Sequence, residues 1–203
     1  MKHFIISAVA LLTLFFSSPS VKGQSPYFSP EDVARIRNSA EAGDPVAQTA
    51  MGFLCEEGWG GVPQSYSEAA KWYKKASAQG SAEAQLSLGY LYIQGKGVAK
   101  NDAEAFKLFK QAALQGVDKA QYNVGLCYKG GDGVEKNTKE AFNWFLKAAQ
   151  KGLPDAQFEV AIAYLMGNGV AENETEGWKW FEKALEGGSE KARALLKELQ
   201  GSN

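Results

Sequence analysis

The sequence predicts an all-α fold: an α-α superhelix, or solenoid, of four stacked helical-hairpin repeats with a half-repeat helix at each end. Three observations lead to this prediction. Small residues recur every 36 or 37 residues, polar helix-start signals fall at one place in each period, and apolar residues are spaced for one face of a helix. Hairpins of this kind cannot bury their apolar faces alone and must stack on their neighbours.

The period is clearest in the dipeptide Ala-Gln of each repeat. Its four copies begin at Ala47, Ala84, Ala120 and Ala156. Four residues after each Gln stands a small residue that lets paired helices approach closely: Gly52, Gly89, Gly125 or Ala161. The pattern predicts repeats at about 44–80, 81–116, 117–152 and 153–188, inside one repeat domain over residues 29–203.

The second helix of each repeat has start and stop signals of its own. A polar N-cap is followed three residues later by Glu, the spacing of a capping box: Ser65 with Glu68, Asn101 with Glu104, Asn137 with Glu140, and Asn173 with Glu176. The buried face repeats a small residue, an aromatic residue and an alanine, as in Ala105, Phe109 and Ala112. Glycines are predicted to end these helices in left-handed caps, at Gly80, Gly116, Gly152 and Gly187-Gly188.

Both ends of the repeat array are predicted to be capped by a single helix. Ser29-Pro30, followed by two acids, predicts a helix from Ser29 to Ala42. A last helix is predicted over 189–200, and its charged residues indicate a solvated outer side: Glu190, Lys191, Arg193, Lys197 and Glu198.

Residues 1–23 differ from the rest of the chain and predict a secretory signal peptide. Met1-Lys2-His3 is a short basic start, and the apolar run from Phe4 to Phe16 is shorter than the roughly 20 residues that span a bilayer. Small residues at the positions expected before a cleavage site predict cleavage near Gly23/Gln24. A flexible tail is predicted over 24–28. The protein is therefore expected to be exported, periplasmic or secreted, with no stable membrane span; an uncleaved anchor is the alternative.

The composition excludes several classes of function. Cleavage would move the net charge from −1 to −3, and no basic surplus indicates nucleic-acid binding. It would also remove His3, the single histidine, so catalytic or metal sites that need imidazole are not expected. We predict no catalytic, cofactor-binding or metal-binding residues. Only carboxylates, lysines, tyrosines and two thiols remain.

Three further signals have structural interpretations. Cys55 and Cys127 lie on equivalent helices two repeats apart, too far for a disulfide, which predicts buried unpaired thiols; a reactive thiol is the alternative. The Gly-x-Gly segments, such as Gly95 to Gly97, recur at one register and predict turns rather than phosphate or calcium loops. Asn173-Glu174-Thr175 is a glycosylation sequon that its register explains as an N-cap.

The pattern A-x-A-Q-x-x-L-G-x-x-Y-x-x-G-x-G-V-x-x-N-x-x-x-A-x-x-W-x-x-x-A-A-x-x-G over residues 44–188 resembles the Sel1-like repeat family, which is close to tetratricopeptide-like solenoids. The departures are modest: Cys55 stands at the Tyr position, Ala161 at the Gly position and Leu108 at the Trp position, and Asn or Ser stands where the family often has Asp. The resemblance implies a right-handed superhelix whose first helices line a concave, protein-binding surface. Exported bacterial members are commonly envelope or host-interaction adaptors.

Candidate binding residues are those of the first helices that vary between repeats while sharing one helix face. They are Thr49, Phe53, Leu86, Tyr90, Tyr122, Asn123, Leu126, Lys129, Phe158 and Ile162. The alternative is that this face is partly buried in the stack. The recurring Trp72, Trp144 and Trp180 are instead interpreted as packing residues.

The predicted function is a non-catalytic, exported interaction scaffold that binds an unknown protein or peptide in the concave groove. The first alternative is a cell-envelope enzyme that acts on peptidoglycan or β-lactams through carboxylates such as Glu56 and Glu57. The cysteine-rich relatives proposed to bind or hydrolyse β-lactams have a Cys pair in every repeat, which this chain lacks. The second alternative is an oligomer joined end to end through the caps.

Overall fold

A computed structural model describes residues 28–201, which form ten α-helices and no strand. The helices are α1 (Pro30–Glu41), α2 (Pro45–Glu57), α3 (Tyr66–Ala78), α4 (Ala82–Gln94), α5 (Asp102–Leu114), α6 (Asp118–Gly130), α7 (Thr138–Gln150), α8 (Pro154–Met166), α9 (Glu174–Glu186) and α10 (Glu190–Gly201). The all-α prediction is confirmed. The predicted signal peptide and, except for Phe28, the predicted tail lie outside the described residues. No helix between residues 28 and 201 is long and apolar enough to cross a bilayer.

The chain divides after Asn101 into two compact units. Unit 1 contains α1 to α4, and α2 packs against α1, α3 and α4. Unit 2 contains α5 to α10, in which each helix packs against the next and α8 also contacts α10. The pairs α2/α3, α6/α7 and α8/α9 are the predicted helical hairpins. We call α2, α4, α6 and α8 the first helices and α3, α5, α7 and α9 the second helices.

The predicted N-caps are found at the starts of α1, α3, α7 and α9. The hydroxyl of Ser29 accepts the Asp32 N–H and the Asp32 carboxylate accepts the Ser29 N–H, a full capping box. The side chains of Ser65, Asn137 and Asn173 each accept the N–H of the Glu three residues later, at 3.0 to 3.3 Å. Asn173 is therefore an N-cap, as its register predicts.

The capping boxes predicted for α3, α7 and α9 form only half of the motif. The N-cap N–H donates to a carbonyl near the end of the preceding first helix: Ser65 to Cys55, Asn137 to Tyr128 and Asn173 to Tyr164, at 2.7 to 2.9 Å. Because this carbonyl already accepts the N-cap N–H, the Glu side chain is not needed as the acceptor and can pair with another residue. Glu68 pairs with Lys71 at 2.7 Å, and Glu176 with Lys179 at 2.8 Å.

Small first-helix residues bring the two helices of a hairpin into contact, as predicted. The buried ring of Tyr73 lies over Gly52, where an added Cβ would meet ring carbon Cδ1 at 2.5 Å. Phe145 lies over Gly125 in the same way. Side chains larger than glycine would force these helices apart.

Two first-helix tyrosines in unit 2 pack on the preceding second helix. Tyr128 of α6 lies edge-to-face with Phe106 of α5, and Tyr164 of α8 with Phe142 of α7, both at 5.3 Å between ring centroids. Edge-to-face contact is one of the favoured geometries for aromatic pairs. The recurring tyrosine therefore joins adjacent repeats.

The recurring Gln of the Ala-Gln dipeptide is a buried connector that the sequence pattern alone did not explain. Its side-chain amide donates to the carbonyl eight residues earlier, at the end of the preceding helix. The bonds are Gln48 to Ala40 (3.1 Å), Gln85 to Ser77 (3.5 Å), Gln121 to Ala113 (3.2 Å) and Gln157 to Ala149 (3.4 Å). Each of these carbonyls also accepts the N–H of the glycine that follows its helix, so the Gln amide is a second donor that ties the first helix to the helix before it.

Candidate functional site

A buried carboxylate connects three helices on the first-helix side of unit 2. Glu159 of α8 has a side chain that is 7% exposed. Its Oε2 lies 2.6 Å from Nζ of Lys129 on α6, and its Oε1 lies 3.3 Å from Nζ of Lys191 on α10. A buried charge of this kind is stable only when it is paired.

Lys191 also donates a hydrogen bond of 2.6 Å to the hydroxyl of Tyr122 on α6. Burial alone would lower the pKa of Lys191, but the bond to Tyr122 and the charge of Glu159 raise it above its ordinary value. Burial raises the pKa of Tyr122, although Lys191 opposes this effect. The side chain of Lys191 is 44% exposed, in agreement with the predicted solvated side of the final helix, and its ammonium also reaches the Glu159 carboxylate.

Beside this cluster lies a cavity of about 240 Å³. It is lined by the apolar side chains Ala141, Phe142, Phe145, Ile162 and Ala163 and by the polar side chains Lys129, Lys136, Thr138, Glu159 and Asn168. Helices α6, α7 and α8 and the loops after α6 and α8 contribute these residues. The arrangement combines apolar surface with lysine ammonium groups and can therefore bind an amphipathic ligand.

Two of the predicted binding residues in unit 2, Lys129 and Ile162, line the cavity. Tyr122 and Leu126 are half-buried and pack against the core of α7 and α8, with Tyr122 at 5.6 Å from the Phe145 ring. Asn123 is 8% exposed, which leaves little of it for a partner to contact.

Phe158, the remaining candidate of unit 2, is half-buried, and its ring centroid lies 6.3 Å from that of Phe181. It thus packs against the second helix of its own repeat.

The candidates in unit 1 differ in how much of each side chain is accessible. Phe53 is half-buried edge-to-face against Trp59 at 5.1 Å, and Thr49 is buried with its hydroxyl 2.8 Å from the Pro45 carbonyl. Leu86 is half-buried, whereas Tyr90 is 37% exposed. Tyr90 is thus the candidate of unit 1 with the most accessible surface.

Glu56, the carboxylate of the enzymatic alternative, lies in a polar contact between helices of unit 1. Its Oε2 accepts a 2.8 Å hydrogen bond from the hydroxyl of the buried Tyr73. Burial raises the pKa of Glu56, and the bond from Tyr73 opposes this rise. Burial is the main reason that the pKa of Tyr73 lies well above its ordinary value, and the charge of Glu56 raises it further. Glu57 is exposed and lies outside this contact.

The two thiols are free and buried, so the prediction of unpaired cysteines is confirmed. Burial raises the pKa of Cys55, and it raises the pKa of Cys127 to about 11. Since the thiolate is the nucleophilic form, this environment opposes reactivity at neutral pH.

The recurring tryptophans are covered by lysines of their own helices. Nζ of Lys75, Lys147 and Lys183 lies 4.3, 3.9 and 4.3 Å from the ring centroids of Trp72, Trp144 and Trp180. Trp144 is 6% exposed, which agrees with the packing role predicted for it.

Sequence reasoning missed Glu159, Lys136 and Lys191 as members of a site. One signal could have identified Glu159. The position two residues after the recurring Gln is Ala50 in the first repeat but polar in the other three, as Ser87, Asn123 and Glu159. A polar residue on a buried helix face requires a partner, and Lys129 and Lys191 supply it here. Lys136 lies in a loop without such a signal.

These hairpins and their shared contacts define a helical-repeat protein. The profile of the Sel1 repeat matches residues 45–81, 82–117, 118–153 and 154–189. The chain belongs to the Sel1 repeat family.

Two solved structures are each 31% identical to the chain. The Sel1 repeat protein from Oxalobacter formigenes superposes with a TM-score of 0.74 over 80% of this chain and 64% of its own. A protective antigen present in uropathogenic Escherichia coli strains, displaying an SLR fold, superposes with a TM-score of 0.78 over 83% of this chain and 36% of its own. The chain thus spans less than two thirds of either protein.

The Helicobacter pylori cysteine-rich protein B, at 24% identity, shows the same fold with a TM-score of 0.51 over 64% of this chain and 97% of its own. No protein of curated function gives a significant match.

Proposed function

We propose that the chain is an exported, non-catalytic scaffold that binds a protein or peptide segment on its first helices. Sel1 repeats generally mediate protein interactions, and proteins of the family are typically not enzymes. The proposal assigns binding to the variable first-helix residues, above all those of α6 and α8.

The main support for this proposal is the cavity beside Glu159. Two of the variable first-helix residues, Lys129 and Ile162, line it together with Phe142 and Phe145 of α7. Recurring residues such as Gln121 and Gly125 are used in packing, whereas these variable residues border open volume. Binding surfaces commonly place a few polar groups around an apolar cavity in this way.

The test compares two truncations of apolar side chains by affinity capture and quantitative mass spectrometry. Ile162→Ala removes a cavity residue, and Leu114→Ala, the control, truncates a residue of α5 that is 71% exposed. Partners are expected to be depleted with Ile162→Ala and retained with Leu114→Ala. Equal recovery with both folded variants would contradict binding at this site.

Export is supported by the basic start and the short apolar run of residues 1–23. Cell fractionation followed by N-terminal sequencing is expected to give a mature protein beginning near Gln24. A protein that retains Met1 to Gly23 after fractionation would contradict cleavage.

A further inference from the structure

The charges around the cavity favour an anionic ligand. Glu159 is the one carboxylate among the described lining residues, and its two oxygens already contact Lys129 and Lys191. Lys136 also lines the cavity and has no ion pair among residues 28–201. Two lysines and one carboxylate thus line the cavity, and the carboxylate is also paired with Lys191 from outside it, which leaves a surplus of positive charge that an anion would balance.

The size and lining of the cavity limit how much of a ligand enters it. Its volume of about 240 Å³ is below the range of about 300–1,000 Å³ typical of sites for drug-sized molecules. Phe142, Phe145 and Ile162 provide apolar surface for one side chain. The ligand group thus combines a single apolar side chain with a nearby negative charge.

We propose that this cavity binds the free C-terminus of a partner protein whose last residue is apolar. The terminal carboxylate contacts Lys129 and Lys136, and the last side chain packs against Phe142, Phe145 and Ile162. This inference rests on the proposed scaffold function and names the part of the partner that is recognised.

A C-terminus fits these constraints better than an internal acidic residue does. In an extended peptide, successive side chains point to opposite faces, so an apolar residue and an adjacent acid do not enter the same cavity. A C-terminal residue carries the apolar side chain and the carboxylate on one Cα. Both groups can therefore reach the same small volume.

The first test uses three fluorescein-labelled hexapeptides made of Gly and Ser around one Leu. One ends in Leu with a free carboxylate, the second is its C-terminal amide, and the third has an internal Leu-Asp pair and an amidated end. Fluorescence anisotropy with the purified chain is expected to show saturable binding of the free acid. The two amides should bind about tenfold more weakly, because a charge-assisted contact is lost.

The second test compares two lysine substitutions in the same assay. Lys136→Ala removes a cavity lysine, and Lys139→Ala removes an exposed lysine on the first turn of α7 that does not line the cavity. Lys136→Ala is expected to weaken binding of the free acid severalfold and to reduce its salt dependence, whereas Lys139→Ala should change neither. Circular dichroism and thermal melting confirm that both variants are folded.

Three results would each overturn the inference: equal affinity for the free acid and its amide, no saturable binding of the free acid, or equal effects of Lys136→Ala and Lys139→Ala. The scaffold function is tested separately by partner capture. A partner that is lost with Ile162→Ala but still binds after removal of its own C-terminal residue would support the scaffold and refute C-terminal recognition.

Discussion

Buried polar side chains, each among apolar residues of the repeat, connect neighbouring helices by hydrogen bonds. Gln48 is 5% exposed; its Nε2 donates to the Ala40 carbonyl, and its Oε1 accepts a 2.8 Å bond from Gln79 Nε2. Leaving a buried polar group without a partner costs more free energy than a typical hydrogen bond contributes. Gln48 is therefore a determinant of stability.

Gln48→Ala should lower the free energy of unfolding by about 1–3 kcal/mol, because the Ala40 carbonyl and the Gln79 amide both lose a partner. Gln94→Ala, at an exposed helix end, is the control and should change it by about 0.5 kcal/mol or less. Urea denaturation followed by circular dichroism measures both. Equal effects would show that the buried amide has no special role.

Glu56 is expected to make stability depend on pH. Because burial raises the pKa of Glu56 above its ordinary 4.5, the folded state favours the protonated form. The stability that protonated Glu56 contributes is fully present below its pKa in the unfolded chain, and it is lost as pH rises through its raised pKa in the folded protein. Glu56→Gln, which keeps an acceptor for Tyr73, should therefore be more stable than wild type at about pH 7.5, and this advantage should shrink towards about pH 4.5.

Denaturation at several pH values measures this difference, with Glu182→Gln, at an exposed position of α9, as the control. If the stability advantage of Glu56→Gln grew as pH falls, the pKa of Glu56 would not be raised in the folded state.

The thiols should be protected until the protein unfolds. With a pKa of about 11, Cys127 has a thiolate fraction of about 0.1% at pH 8, and it is buried as well. Titration with a chromogenic thiol reagent is expected to be slow in buffer and to reach two thiols per chain in guanidinium. A prompt reaction of native Cys55 or Cys127 would favour a functional thiol.

At the scale of elements, the loops between first and second helices are packed parts of the fold. Gly97 has φ of +68°, and an added Cβ would collide with the backbone of Tyr66 and Ser67 at the start of α3. Gly169 is placed in the same way against Thr138 and Lys139 at the start of α7. The Gly-x-Gly segments are therefore turns, as predicted, and also contacts between repeats.

Two glycine substitutions separate backbone strain from this close contact. Gly80 has φ of +91° and no atom within 4 Å of an added Cβ, so Gly80→Ala should cost about 1–2 kcal/mol of strain alone. Gly97→Ala adds a collision with backbone atoms and should cost at least about 2 kcal/mol more. Thermal and urea unfolding of the pair measures the difference. Similar losses would mean that the loop of Gly97 moves freely away from α3.

The helices were predictable from sequence because their signals are local. Ser29, Ser65, Asn137 and Asn173 mark helix starts through bonds within one turn, and the repeat supplies several copies of each signal. The second half of the capping boxes was not predictable in this way. It depends on the Cys55, Tyr128 and Tyr164 carbonyls, which the loops bring to the N-cap amides from another helix.

At the scale of the whole molecule, the repeat fold was predictable, whereas the candidate site was predictable only in part. Variation between repeats identified Lys129 and Ile162, but Glu159 and Lys191 required knowledge of which side chains meet across α6, α8 and α10. A long lysine side chain can reach several partners, so sequence spacing does not determine its contact. The final helix thereby contributes Lys191 to the site.

The most direct test of the scaffold function is hydrogen–deuterium exchange of the full chain with and without a captured partner. Binding in the cavity of unit 2 predicts protection in α6, α7 and α8 near Lys129, Phe142 and Ile162, with Ile162→Ala abolishing it and Leu114→Ala preserving it. Protection confined to α9 or to the helices of unit 1, and unchanged by Ile162→Ala, would contradict binding at this cavity.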